Sequence, residues 1–92
     1  MTREEHLLVI LSEECAEVAR EVSKALRFGM SETMLGQPLT NKERISAELQ
    51  DLWAAVEMLN LQTVDREAIE RKKEKVNKFM RYAEEECGTI KP

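Results

Sequence analysis

The chain has 92 residues, of which 35% are charged and 42% hydrophobic, enough for one domain with a modest core. Its formal net charge of −4 argues against a dedicated nucleic-acid binder, because such proteins rely on a basic surface. No apolar run reaches membrane-spanning length, and residues 1–12 lack the pattern of a secretory signal. We therefore expect a cytoplasmic protein that contacts neither a membrane nor nucleic acid.

Cysteine content and core size add two expectations. The two cysteines, Cys15 and Cys87, are too few for a disulfide framework, so we expect free thiols in a reducing compartment. The apolar residues exceed what a chain of this length buries by itself. This surplus predicts that the protein forms oligomers.

The first long helix is predicted over residues 3–27, where apolar side chains recur at helical spacing. Its apolar stripe comprises Leu7, Leu8, Leu11, Cys15, Val18, Val22, Ala25 and Leu26. Residues 28–41 break this pattern with Gly29, Gly36 and Pro38. They predict a loop and leave open a short additional helix within it.

Two further helices are predicted after this loop. Thr40 and Glu43 have the spacing of a capping box, so the second helix should start there and continue to about Leu61. Its predicted buried stripe comprises Ile45, Leu49, Leu52, Trp53, Val56 and Leu59. Residues 62–65 form a connection capped by Thr63 or Asp65. The third helix spans residues 66–86, with Gly88 as terminator and with an apolar stripe of Ile69, Val76, Phe79, Met80 and Ala83.

The sequence therefore predicts an all-α fold for residues 1–92 as a single domain. Three long helices make up this small bundle, and no segment has the alternation of a β-strand. Because the core of one chain is small, we expect oligomerisation to complete the bundle.

Pairs of acidic residues stand out on the first two helices. Glu14 and Glu17 are three residues apart, as are Glu48 and Asp51, so each pair projects from one helical face. Glu48 falls inside the apolar arc of its helix, and Glu14 borders the apolar stripe of the first. Burying an ionised carboxylate without a partner costs several kcal/mol. These carboxylates therefore need a basic residue, a metal or a cleft open to water.

Carboxylate oxygens without histidine or cysteine favour Mg²⁺, with Mn²⁺ as an alternative, over zinc. The one histidine, His6, lies two turns from Glu14 and has no partner at ligand spacing, which excludes a di-iron bundle. Mg²⁺ held by carboxylates keeps positions for water and phosphate, so phosphoanhydride chemistry fits. The alternative is a solvated acidic face, because charged residues are common at this spacing on exposed helices.

The third helix is rich in basic residues. Six cations lie within residues 71–81: Arg71, Lys72, Lys73, Lys75, Lys78 and Arg81. Lys75, Lys78 and Arg81 recur every three residues and therefore line one side of the helix. If this helix packs beside the acidic pairs, these side chains can hold the phosphates of a polyphosphate. A solvated basic face is the alternative.

These motifs resemble a known superfamily. Glu13-Glu14-x-x-Glu17 followed by Glu48-x-x-Asp51 resembles the acidic signature of all-α nucleoside triphosphate pyrophosphatases, which include MazG proteins, dimeric dUTPases and phosphoribosyl-ATP pyrophosphatases. The segment from Lys75 to Arg81 is similar to the closing helix of MazG-like members. The resemblance spans roughly residues 5–82. It implies Mg²⁺-dependent hydrolysis of nucleoside triphosphates to monophosphates and pyrophosphate, in nucleotide-pool house-cleaning.

The resemblance also implies roles for individual residues. The Mg²⁺ ligands would be Glu14, Glu17, Glu48 and Asp51. The residues facing the substrate would be Lys75, Lys78 and Arg81, with Asn77 either structural or in contact with the ligand. Glu13 or Glu17 would help to deprotonate the attacking water. Members of this superfamily assemble as homodimers or tetramers whose subunits share each bundle.

Three points stay open at this stage. The spacer of thirty residues between the motifs, 18–47, is at or beyond the long end of the usual range. For contacts with the base, Phe28 is a better stacking candidate than Trp53, which we expect to pack in the core. A non-catalytic helical oligomerisation or adaptor module is the competing function, and hydrolysis of phosphoribosyl-ATP is a third, lower-ranked possibility.

Overall fold

The computed structural model describes residues 1–61 and 64–91, and three long helices account for most of them. The helices are α1 (Arg3–Phe28), α2 (Asn41–Met58) and α3 (Arg66–Tyr82). No strand is present in the described residues, so the all-α prediction is confirmed. The chain divides into two compact units, Met1–Gln62 and Thr63–Pro92. The expectation of a single domain stays a prediction.

Helix α1 is fastened at both ends by local hydrogen bonds. The hydroxyl of Thr2 accepts from the backbone N–H of Glu5 at 3.1 Å, and the Glu5 carboxylate accepts from the Thr2 N–H. This capping box satisfies donors that the first turn leaves unpaired. At the other end Gly29 adopts a φ of 100°, which its lack of a Cβ permits. The helix therefore ends one residue later than the sequence predicts.

The loop at residues 29–40 contains turns and one antiparallel bridge between Thr33 and Thr40, in place of the short helix left open for it. Asn41 secures this loop to the start of α2. Its side chain is fully buried and donates hydrogen bonds to the backbone oxygen of Gly29 at 2.8 Å and to Glu32 Oε2 at 3.2 Å. The backbone N–H of Asn41 also donates to the Glu32 carbonyl. The buried Asn41 amide thus holds the loop against the start of α2.

Helix α2 begins with the predicted capping box: Thr40 accepts from the Glu43 N–H at 3.1 Å, and Glu43 accepts from the Thr40 N–H at 2.9 Å. The helix ends at Met58, three residues before the predicted end, and Asn60 then takes a positive φ of 53°. Helices α1 and α2 pack against each other and form the core of the first unit. Its buried hydrophobic residues are Leu7, Ala25 and Ala55.

The predicted apolar stripes are only partly buried in the single chain. Leu26 is 87% exposed and Trp53 is 42% exposed, so placing these two residues in the core is wrong for one copy of the chain. Val22 and Leu49 are also exposed. The helical pattern was right about which face is apolar, but two helices alone bury only part of that face.

The second unit consists of α3 and a π-helical turn at Ala83–Cys87. Asp65 caps α3 through a 3.0 Å hydrogen bond from the Ala68 N–H, as predicted, whereas Thr63 lies outside the described residues. Gly88 ends the π-helical turn with a φ of 66°, which confirms it as the terminator. None of the residues of α3, all of which the structure describes, is buried. Within the described ranges, no helix is long and apolar enough to cross a membrane.

Candidate metal centre

Three carboxylates from α1 and α2 meet in the first unit. Glu14, Glu48 and Asp51 each place one carboxylate oxygen within 4.8 Å of the others. Glu14 and Glu48 are half-buried and Asp51 is exposed, so the group is reachable from solvent. The two helices bring it together because Asp51 lies one turn after Glu48 and both face α1. This cluster of Glu14, Glu48 and Asp51 is called the acidic cluster below.

Glu48 carries the electrostatic consequence of this arrangement. Partial burial raises the pKa of its carboxyl group above the ordinary value, and repulsion from Asp51, Glu14 and Glu17 raises that pKa further. A hydrogen bond to Glu14 acts in the same direction, because it requires a proton on Glu48. Glu48 lies inside the apolar arc of its helix, as the sequence predicts, and its surroundings disfavour the ionised form of its carboxyl group.

Among the described residues, no basic side chain pairs with the acidic cluster. Within residues 1–61 and 64–91, no basic side chain lies at ion-pair distance from Glu14, Glu48 or Asp51. Two basic residues of α1 pair with other carboxylates: Arg20 with Glu17 at 3.5 Å and Lys24 with Glu21 at 3.3 Å. A bound cation would therefore supply the positive charge that these half-buried carboxylates need.

The donor set fits a hard divalent cation. All three ligand atoms are carboxylate oxygens, and Mg²⁺ and Mn²⁺ prefer such oxygens to nitrogen or sulfur. Oxygens on opposite sides of Mg²⁺ lie about 4.2 Å apart, twice the metal–oxygen distance. One oxygen from each residue of the acidic cluster lies within 4.8 Å of the others, so small side-chain adjustments reach that geometry.

Glu17 and Glu21 form a second group with Glu48. One carboxylate oxygen of each lies within 4.8 Å of the others. Glu17 is half-buried and Glu21 is buried. All four predicted metal ligands, Glu14, Glu17, Glu48 and Asp51, therefore belong to two adjoining groups that share Glu48.

The remaining predicted site residues lie outside these two groups. Glu13 is exposed on α1 and belongs to neither of them. The predicted substrate-binding residues lie on α3 in the second unit, all of them exposed: Lys75, Asn77, Lys78 and Arg81. In the described part of the chain, Lys75, Lys78 and Arg81 form no ion pair. Their meeting with the acidic residues stays a prediction of the resemblance.

Sequence reasoning did not choose Glu21 or Asn41, which are the two buried polar residues of this unit. For Glu21 a signal existed, because it follows Glu14 by seven residues and Glu17 by four and so shares their helical face. For Asn41 no such signal existed. Its burial depends on how the loop at residues 29–40 folds back over the start of α2.

The candidate for base stacking lies at the end of α1. Phe28 is exposed, and the guanidinium carbon of Arg27 lies 5.4 Å from the centre of its ring. Phe28 also lines a surface cavity of about 350 Å³ together with Glu32, Met34 and Leu35. Phe28 is therefore an exposed aromatic side chain beside a surface cavity.

Comparison with known proteins adds no identification. No protein family, no curated protein and no solved structure compared with this chain matches it.

Proposed function

We propose that this protein is a Mg²⁺-dependent nucleoside triphosphate pyrophosphohydrolase that produces a nucleoside monophosphate and pyrophosphate in nucleotide-pool house-cleaning. The observation that carries the proposal is the acidic cluster: three carboxylates from two helices gather without a basic partner among the described residues. Their sequence spacing, together with the segment from Lys75 to Arg81, supports this reaction class through the resemblance to MazG-like proteins.

The chain's own residues suggest how the reaction would proceed. A bound Mg²⁺ would polarise the phosphoryl oxygens and increase the acidity of a nearby water. Glu14, Glu48 and Asp51 would hold it, and Glu13 or Glu17 would accept the proton of the attacking water. The water oxygen attacks one of the two phosphorus atoms beside the α–β bridging oxygen, and the bond from that phosphorus to the bridging oxygen breaks. Attack at the α-phosphorus expels pyrophosphate with the electron pair of that bond, and attack at the β-phosphorus expels the nucleoside monophosphate with it.

Substrate binding would use the basic side of α3. Lys75, Lys78 and Arg81 carry charges that no acidic residue in the described part of the chain neutralises. Lysine ammonium groups bind phosphate as point charges, and the Arg81 guanidinium can contact two oxygens. Asn77 lies between Lys75 and Lys78 along the same segment, where its amide can contact a ligand or a neighbouring helix.

Oligomerisation would complete the bundle. The apolar side chains of α3 are exposed, among them Val76, Phe79 and Met80. Exposed apolar surface of this kind favours burial against another copy of the chain. We propose a homodimer or a tetramer in which helices of different copies pack together.

The direct experiment is incubation of the purified protein with Mg²⁺ and a panel of ribonucleoside and deoxyribonucleoside triphosphates. The expected result is release of pyrophosphate and a monophosphate from at least one of them. A folded protein that releases pyrophosphate from none of the triphosphates contradicts the proposal. Phosphoribosyl-ATP belongs in the same panel because it tests the third possibility.

The exposed apolar residues of α3 also suit a non-catalytic oligomerisation or adaptor module. Thermal melts separate the two functions, because a ligand that binds only the folded state raises the melting temperature. A pyrophosphohydrolase should gain stability from Mg²⁺ together with a non-hydrolysable nucleotide. An adaptor module should respond to neither.

A further inference from the structure

Glu32 is a carboxylate that the start of α2 holds in place. It is half-buried, and its Oε2 accepts a hydrogen bond at 3.2 Å from the side-chain amide of Asn41, which is fully buried. Its backbone oxygen accepts from the Asn41 N–H at 2.9 Å. In the described part of the chain, Glu32 forms no ion pair. Glu32 is therefore an anchored hydrogen-bond acceptor whose charge no basic side chain in those ranges pairs with.

Glu32 lines the surface cavity at the end of α1 together with Phe28, Met34 and Leu35. The volume of this cavity, about 350 Å³, lies within the range of pockets that bind small molecules. Phe28 is exposed, so its ring can contact a planar ligand. Apolar and aromatic walls with a single carboxylate fit a flat ring that carries a hydrogen-bond donor.

Helix α2 connects this cavity to the acidic cluster. Asn41, Arg44 and Glu48 are spaced by three and four residues, so they share one face of the helix. Asn41 contacts Glu32, and Glu48 lies about 10 Å further along the helix axis. Between them the Nε of Arg44 is buried and has no hydrogen-bond acceptor among the described residues. A ligand that extends from the acidic cluster to Glu32 would satisfy this donor with one of its oxygens.

A nucleotide has this extended form, because its sugar separates the base from the phosphates. We propose that the cavity beside Phe28 holds the base of the triphosphate and that Glu32 selects bases with an amino group. This selection depends on the proposed function, in which a cation at the acidic cluster holds the phosphates. An ionised carboxylate only accepts hydrogen bonds, so it binds the amino group of cytosine or adenine. Uracil and hypoxanthine carry a carbonyl oxygen at that position, which the carboxylate repels.

The test compares triphosphates that differ only at this position: dCTP with dUTP, and dATP with deoxyinosine triphosphate. In the unchanged protein, kcat/KM should be at least about tenfold higher for the amino member of a pair. Glu32→Gln should bring that ratio to about one, because an amide both donates and accepts. Its oxygen can still accept from Asn41, so the loop should stay closed. Glu57→Gln, an exposed position on α2, is the matched control and should keep the ratio.

Two results overturn the proposal. One is a ratio of about one for both pairs in the unchanged protein, which needs no variant to fold. The other is an unchanged ratio in Glu32→Gln.

Binding of non-hydrolysable analogues separates base selection from turnover. With Mg²⁺ and the α,β-imido analogues of the four triphosphates, isothermal titration calorimetry should show the same preference for the amino member. Phe28→Ala should weaken binding of both members about tenfold and keep their ratio, because an aromatic contact does not depend on the amino group. Unchanged binding by Phe28→Ala, or no binding of any analogue by the unchanged protein, overturns the proposal. The preference in binding without hydrolysis of any triphosphate refutes the proposed function alone. Turnover at equal kcat/KM within both pairs refutes selection by Glu32 alone.

Discussion

The acidic residues of the α1–α2 unit and the charged residues of α3 are organised in opposite ways. On α3, charged side chains lie on an exposed surface and several pair along the helix, with Glu70 forming ion pairs with Arg66 at 3.3 Å and with Lys73 at 3.2 Å. In the acidic cluster, packing of two helices holds like charges together, half-buried and without a basic partner among the described residues.

This difference shows where charge indicates a function. Exposed pairs such as those of Glu70 contribute little to stability and are common on any soluble helix. A like-charged group between two packed helices lowers the stability of the ligand-free protein, and a bound cation would offset that loss. The number of charged residues is therefore less informative than their environment. The predictions below test this contrast from its largest expected effect to its smallest.

Glu48→Gln and Asp51→Asn should each reduce kcat/KM for pyrophosphate release by at least about a hundredfold, because each removes a ligand charge from the metal site. The changes remove almost no volume, so the helix content measured by circular dichroism should be unchanged. Glu57→Gln, with the same change in charge on the same helix, should keep its activity. Full activity in both cluster variants would show that the ligand assignment is wrong.

Lys78→Ala should weaken nucleotide binding about tenfold, or about 1.4 kcal/mol, with a smaller change in kcat, because one phosphate contact is lost. Steady-state kinetics on the best triphosphate measure both quantities. Lys73→Ala is the matched control, since Lys73 already pairs with Glu70 on the same helix. Equal KM values for Lys78→Ala and Lys73→Ala would show that Lys78 does not bind the nucleotide and that this side of α3 is an ordinary solvated face.

Without metal, the stability of the protein should fall as pH rises through the pKa of Glu48. The pKa is raised in the folded state, so folding favours the protonated form, and that contribution is fully present below the ordinary value of 4.5. Melting temperatures in a chelator between pH 4.5 and 7 should therefore decline more for the unchanged protein than for Glu48→Gln. Parallel curves would argue against repulsion at Glu48, and added Mg²⁺ should reduce the difference.

Thr40→Ala should lower the free energy of unfolding by about 1 kcal/mol, because it breaks the capping box of α2. The hydrogen bonds from Thr40 lower the pKa of Glu43, so this contribution is present above pH 4.5 and is lost as pH falls through the lowered pKa. Urea unfolding at pH 7 measures the effect. Ser46→Ala, at an exposed position on the same helix, should change stability by less than about 0.5 kcal/mol.

Glu43 and Glu48 show on one helix how local and tertiary surroundings act in opposite directions. They lie five residues apart on α2, and the pKa of Glu43 is lowered whereas the pKa of Glu48 is raised. The shift at Glu43 follows from Thr40, three residues away, and could be read from the capping-box spacing. The shift at Glu48 comes first from partial burial and then from Asp51, and Glu14 and Glu17, more than thirty residues earlier in the chain, raise the pKa further. Measuring both carboxyl groups by NMR titration would sharpen this contrast.

The sequence by itself determined the three helices, the caps at Thr40 and Asp65, the terminator Gly88 and the half-buried positions of Glu14 and Glu48. These features depend on helical periodicity and on hydrogen bonds between residues two to four positions apart. Only the tertiary structure decided that Asn41 closes the loop, that Leu26 and Trp53 stay exposed in one copy of the chain, and that Glu21 joins Glu17 and Glu48. The first outcome depends on how the loop at residues 29–40 folds back over the start of α2, and the others depend on how α1 and α2 pack. Residue spacing within one helix specifies neither.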